Sequence, residues 1–211
     1  MGLFDTLLGR TKPVEANLDN LFGLPGARIT LEASLGLRPT GQAGVCFKPA
    51  TGQPFAETAQ EVEELLGLGT PGTGPPTGVS AKIHEESDSY GYRWIVVAAD
   101  EFEDLVNQVH VVNSTLKEHG YSPQLLCSVF GFEPVPGGAS DPSAATGAPK
   151  VSGTYLVYLF KRGTFYPFVP LPGTERRDSD GERRLQATLG TDLKMEPELE
   201  RWFPLWGLPV H

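Results

Sequence analysis

The 211-residue sequence contains no apolar run near the ~18 residues that a membrane-spanning helix requires. Its longest apolar stretches, WIVVAA and YLVYLF, are the size of strands. Basic residues are also scarce: 17 Lys and Arg stand against 26 Asp and Glu, for a formal charge of −9. That balance excludes a sequence-independent grip on nucleic acid, which needs clustered cations to displace counterions. Only two cysteines are present, Cys46 in GVCFKP and Cys127 in LLCSVFGF. A single bridge between them is compatible with the sequence, but two strand-borne free thiols in a reducing compartment is the plainer reading. The N-terminus lacks a basic region followed by a continuous apolar one, so no secretory signal is read there and a cytoplasmic protein is expected.

Recognisable reaction chemistry is missing as well. There is no G-x-S-x-G elbow and no P-loop. GLGTPG at 67–72 matches the dinucleotide pattern G-x-G-x-x-G letter for letter. Its context is wrong, because it follows a helix pattern and carries Pro71 where a phosphate-binding helix should begin. His84, Glu85, Glu86 and Asp88 in HEESD lack the second histidine of a zinc helix, and a solvated charged strand end accounts for them better. His110 and His119 have no partnered Cys or Ser in any motif. The carboxylate pairs Glu63/Glu64 and Glu101/Asp104 fall on exposed helix faces, where nothing would raise a catalytic pKa. No catalytic residue, metal ligand or cofactor is therefore expected.

What is present is a set of elements. DEFEDLVNQVHVVNSTLKEHG places Phe102, Leu105, Val106, Val109, Val112 and Leu116 on one helical face. Asp100 is the expected cap, with Glu103 reaching back, and Gly120 suits the left-handed terminus. ARITLEASL, AGVCFKP, SYGYRWIVVAA, PQLLCSVFGFE, TYLVYLF and TFYPFVP read as strands. The last two flank KRG, where Gly163 can take the positive φ of a short hairpin loop. Pro167 and Pro170 mark the second arm as an edge or a short strand. FAETAQEVEELLG and GERRLQATLG read as helices, and EPELERWFPLW as a short one. Two Gly- and Pro-rich stretches, 67–80 and 134–153, read as flexible insertions. Hairpins joined by single helices predict an α+β fold, mainly antiparallel, with helices on one face. The expected organisation is an amphipathic N-terminal segment, 1–13, followed by one domain over 14–211.

The ends carry the apolar residues that the domain does not obviously need. Leu3, Phe4, Leu7 and Leu8 form one stripe on a helix. Full burial would be worth roughly 6–12 kcal/mol, yet a helix this short is barely stable alone. Docking on a partner, or membrane contact multiplied by assembly, fits such a segment; so does packing as a cap on its own domain. At the other end, LERWFPLWGLP concentrates Trp202, Phe203 and Trp206, residue types that anchor interfaces and also pack cores.

Taken together, MGLFDTLLGRTKP, DSYGYRWIVV, VNSTLKEHGYSPQLLCSVFGF, LVYLFKRGTFYPFVP and LERWFPLWG resemble the PspA-associated protein PspAB family of bacteria. The resemblance spans the chain apart from the two insertions. It implies an accessory protein of the phage-shock membrane-stress system, linked with a PspA-like protein and with a membrane protease of the HtpX type, and it brings no established catalytic residues. The element order is also similar to the secretion-chaperone-like fold of YbjN-type proteins, which would imply binding rather than catalysis. The expectation is thus a cytoplasmic, non-enzymatic adaptor, peripheral to the inner face of the membrane. Its partner-binding candidates are Leu3, Phe4, Leu7, Leu8, Lys161, Arg162, Phe165, Tyr166, Trp202 and Trp206. A chaperone-like module holding a membrane or exported client, and an enzyme with a dispersed site, are the alternatives.

Overall fold

In the computed structural model, residues 17–48, 82–135 and 153–211 are described. They form six strands and three α-helices: α1 (Leu24–Leu35), β1 (Leu37–Phe47), β2 (Lys82–Ser87), β3 (Arg93–Ala98), α2 (Phe102–Glu118), β4 (Leu125–Pro134), β5 (Thr154–Leu159), β6 (Thr164–Phe168) and α3 (Ser179–Leu189). The strands make one sheet in the order β2-β3-β1-β4-β5-β6, every neighbouring pair antiparallel. The α+β architecture is the one expected. The N-terminal stripe 1–13, the helix expected at FAETAQEVEELLG and the stretch 67–80 lie outside the described residues. So does most of 134–153, of which Pro134 closes β4 and Gly153 leads into β5.

One element changes identity. ARITLEASL was expected as a strand and is the body of α1. Its letters alternate, but Leu24, Ala27 and Leu31 also recur at helical spacing and are the residues buried. A strand would bury Ile29 beside Leu31; here Ile29 is 62% exposed. Pro25 in the first turn and Gly36 at φ 60° after the last bracket the helix, Gly36 donating to Glu32 and Leu31 carbonyls. AGVCFKP does lie in β1 as expected, and the strand begins earlier, at Leu37.

α2 runs as its periodicity dictates, burying Phe102, Leu105, Val106, Val109, Val112 and Leu116. Its first turn departs from expectation. Glu101 rather than Asp100 holds the N-cap position, and no side chain caps the helix, so Glu103 and Asp104 supply only their charge at the positive end. At the other end Tyr121 N–H reaches the Leu116 carbonyl (2.9 Å) around Gly120 at φ 88°, closing the left-handed terminus. EPELERWFPLW yields only a 3-10 turn, Leu199–Arg201, because Pro204 leaves no room for a further turn.

The helices all lie on one face of the sheet. There α1, α2 and α3 enclose a core with Val45, Ile95, Val97, Phe130, Leu156 and Phe165. The strands are apolar on both faces, however, so the opposite face must be covered too. It buries Cys46, Trp94, Val96, Cys127, Val129, Tyr155, Val157, Tyr166 and Phe168 under Trp202, Leu208 and Val210 of the irregular C-terminal segment. Val210 fits there because two glycines make room. A Cβ on Gly44 would stand 2.9 Å from Val210 Cγ2, and one on Gly131 would stand 3.2 Å from Val210 Cγ1.

The edge strand β6 is closed by more chain. Phe165 N–H donates to the Lys194 carbonyl (2.9 Å), and Glu196 N–H donates to the Phe165 carbonyl (2.7 Å). Pro167, which cannot donate, sits in the same strand as anticipated for an edge. This edge therefore presents little ladder to a passing strand.

Candidate functional site

The C-terminal cover is incomplete over the start of β3 and β4. Beneath Phe203, Pro204, Leu205 and Trp206 lies a cavity of about 500 Å³, walled by Cys46, Trp94, Cys127 and Tyr166 and rimmed by Leu126, Leu159, Tyr90 and Tyr92. Strand alternation builds it. Cys46 of β1, Trp94 of β3 and Cys127 of β4 point to the same face and meet in register, Cys46 opposite both Trp94 and Cys127. A more open hollow of about 650 Å³ shares Tyr90, Leu205 and Trp206, so those side chains form a ridge between two concave surfaces.

Asp88, Trp94 and Tyr166, which line the cavity, are already engaged. Asp88 Oδ1 accepts from the Tyr90 (2.9 Å) and Tyr92 (3.0 Å) amides, and Asp88 Oδ2 accepts from Trp94 Nε1 (2.9 Å). Tyr166 OH donates to the Phe203 carbonyl (2.8 Å), tying the ridge to the sheet. The Cys127 side chain beside it, together with burial, pushes the Cys46 thiol upward. Burial, reinforced by Cys127, does the same to the Tyr166 phenol. Neither group is poised as a nucleophile or base at neutral pH. Meanwhile Phe203 and Tyr90 at the rim are each 57% exposed. The arrangement suits an apolar guest that needs no hydrogen bond.

The cover is held by an arginine clamp. Arg177 Nε donates to both oxygens of buried Glu182 (2.8 Å each), Nη1 donates to the Trp202 carbonyl (2.6 Å), and the guanidinium lies 5.3 Å from the Phe168 ring centroid. Glu182 Oε1 also accepts from the Val169 amide (2.9 Å). Burial raises the Glu182 carboxyl, against the lowering effect of Arg177 and Val169.

The residues singled out from sequence separate into groups. Leu3, Phe4, Leu7 and Leu8 lie outside the described residues. Lys161 stands exposed on the β5–β6 turn and donates to the Pro123 carbonyl (2.9 Å). Arg162 is half-buried: its Nε donates to buried Glu196 (2.8 Å) and its Nη2 reaches exposed Glu198 (3.3 Å). Phe165 is buried in the helix-side core and Tyr166 in the opposite one, so on this surface neither ring faces outward. Trp202 is buried and its Nε1 donates to the Glu196 carbonyl (3.1 Å). Trp206 is half-buried and lines the cavity. The structure brings together Tyr166 and Trp206 and leaves the β5–β6 tip apart from them.

Sequence reasoning did not single out Asp88 as a turn-former, nor Leu126, Leu159 and Tyr90. The available signal was the unbroken apolar character of WIVV and TYLVYL, which marks strands buried on both faces and hence a second cover. Elsewhere, His84 Nε2 pairs with Glu86 (2.8 Å) on β2, and His110 packs against Phe22 with centroids 4.8 Å apart. Among the described residues no cluster of three or more His, Cys, Asp and Glu side chains is arranged to hold a metal ion, and no helix is long and apolar enough to cross a membrane.

A family model described as PspA associated protein B matches residues 1–210 of this chain. No curated protein and no solved structure matches it.

Proposed function

The chain belongs to the PspA associated protein B family, and on that membership we propose that it is an accessory protein acting by contact with PspA rather than by catalysis. The observation that carries this reading is the match itself, which extends over residues 1–210 and so takes in both the apolar N-terminal stripe and the C-terminal cover. The leading contact surfaces are Leu3, Phe4, Leu7 and Leu8, the exposed Lys161 on the β5–β6 turn, and the aromatic rim of Phe203, Tyr90 and Trp206. Exposed aromatic side chains bordering a pocket are the kind of group that anchors an interface. The same reading places the protein in the cytoplasm, peripheral to the membrane, with an HtpX-type protease as a second partner within the membrane-stress response.

The test is capture of PspA by the purified intact chain, repeated with Leu7→Glu and Phe203→Glu. Loss of capture in either variant, with melting unchanged, supports contact through that surface. Failure of the intact chain to capture PspA at micromolar concentration refutes the reading, as does turnover of a small compound abolished by changing one polar side chain.

A chaperone-like role is favoured by one observation, the apolar cavity, which would accept a large side chain of an extended client. A client peptide crosslinked along 155–168 rather than at the cavity rim would argue against that use of the site.

A further inference from the structure

The cavity under Phe203–Trp206 is lined mainly by apolar groups, and the chain carries an apolar segment that fits it chemically. We propose that the N-terminal stripe of Leu3, Phe4, Leu7 and Leu8 docks into this cavity of its own chain. The inference concerns the isolated protein and goes beyond the PspA reading, so it stands or falls without it.

Three observations point to this guest. The first is the anchoring of Asn17 and Asn20. The Asn17 carbonyl accepts from Tyr158 OH (2.8 Å), and Asn20 Nδ2 donates to the Gly163 carbonyl (2.7 Å), which pins the chain against the β5–β6 turn. That turn is at the same end of the sheet as the cavity rim: Leu159 ends β5, Leu126 lies near the start of β4 and Trp94 near the start of β3. Asn17 and the rim thus share one end of the sheet on opposite faces.

The second is reach. A layer packs about 10 Å from a sheet, so a path around the end from one covered face to the other is on the order of 20–25 Å. Residues 9–16, fully extended, span roughly 27 Å. The stripe can therefore arrive at the near rim, with little chain to spare.

The third is chemistry. Asp88, Trp94 and Tyr166 have their hydrogen bonds made within the fold, so these three ask none of a guest. The stripe offers Leu and Phe alone, with Asp5, Thr6, Arg10 and Lys12 left for the solvent side or the connection. A free peptide this short would be a poor helix and a weak ligand. Tethering supplies an effective concentration of millimolar order, enough to hold a guest whose untethered affinity is modest.

The experiment is carried out on the full chain. Phe4 is replaced by p-benzoylphenylalanine, the purified monomer is irradiated, and the crosslinked peptides are mapped. Crosslinks within one chain to peptides holding Leu126, Leu159 or Phe203–Trp206 are expected, and Leu7→Glu in the same background should reduce their yield about 10-fold. A second measurement covers the case in which the photo-label itself perturbs docking. All three tryptophans, Trp94, Trp202 and Trp206, lie on this face of the sheet. In the otherwise unaltered chain, Leu7→Glu should therefore shift tryptophan emission to the red and raise acrylamide quenching, with the far-ultraviolet dichroism of the fold retained and the melting temperature lowered only slightly. Crosslinks between two chains would assign the cavity to a second copy and overturn the proposal. So would crosslinks to the helix face, or emission and quenching unchanged by Leu7→Glu. Capture of PspA is a separate readout and decides neither outcome.

Discussion

Cys46 stands directly opposite Cys127 across β1 and β4, both thiols free, buried and facing the apolar cavity. Because the Cys127 side chain and burial both push the Cys46 thiol upward, the folded chain resists an ionisation that the unfolded chain undergoes freely. The associated stability is complete below about pH 8.5 and is lost as pH rises, because unfolding then releases a proton. Chemical denaturation between pH 8.5 and 10 should show stability falling by up to ~1.4 kcal/mol per unit for this group, and Cys46→Ala should remove that part of the slope. Tyr158, pushed up to about 12 by burial and then by Asp19, adds a further loss only above pH ~10.

Glu196 titrates on the acid side. Burial raises its carboxyl, but Thr164 Oγ1 (2.6 Å), Arg162 and the Glu198 amide (3.1 Å) hold it below the ordinary carboxylate value. A lowered carboxyl contributes stability that is present above about pH 4.3 and disappears as pH falls through the folded value. Glu196→Gln should therefore flatten the acid limb of a stability profile and cost about 1–3 kcal/mol at pH 7. Arg162→Ala should lower the melting temperature as well, since it leaves the buried carboxylate with Thr164 and one amide.

Glu182 and Arg177 should respond unequally to mutation. Glu182 is raised, chiefly by burial, so the contribution of its protonated form to stability is fully present below about pH 4.3 and is lost as pH rises through the folded value. Glu182→Gln removes a charge that burial disfavours and keeps an oxygen to accept from Val169 and Arg177, so it should cost less than loss of the arginine. Arg177→Leu strands that charge and releases the Trp202 carbonyl, for an expected loss of about 3 kcal/mol or more by urea titration.

Asp88 accepts three hydrogen bonds at the turn between β2 and β3. Asp88→Ala should cost about 2 kcal/mol and free the Trp94 indole from its partner, visible as an altered near-ultraviolet dichroism band. A variant with unchanged dichroism would mean that the turn does not set the cavity rim.

Much of this fold was readable where one period dominated. α2, with its single apolar stripe, and β3 to β6, with their β-branched and aromatic runs, lie where the sequence places them. α1 carries two periods at once, since Ile29, Leu31, Ala33 and Leu35 alternate while Leu24, Ala27 and Leu31 follow a helical spacing. Tertiary burial chose between the two, and local pattern could not. The candidate site was less legible for a different reason. Its walls are ordinary strand residues, and its roof is a Pro- and Gly-containing segment with no regular period, so only the pairing register brings Cys46, Trp94 and Cys127 together under Trp206. Arg162, a partner-binding candidate in the hairpin loop, is instead engaged within the fold. Its partner Glu196 comes from a segment that crosses beside β6, a contact that no local pattern encodes.

The notch that Gly44 and Gly131 leave for Val210 has a consequence for the order of assembly. The opposite face is completed only when the last residues of the chain return to β1 and β4, so its closure waits on contacts of the longest sequence separation, a slow kind of closure. Refolding should therefore pass through a stage in which the tryptophans remain wet while α2 is already formed. Gly44→Ala, by crowding the notch, should prolong that stage more than it alters the helix.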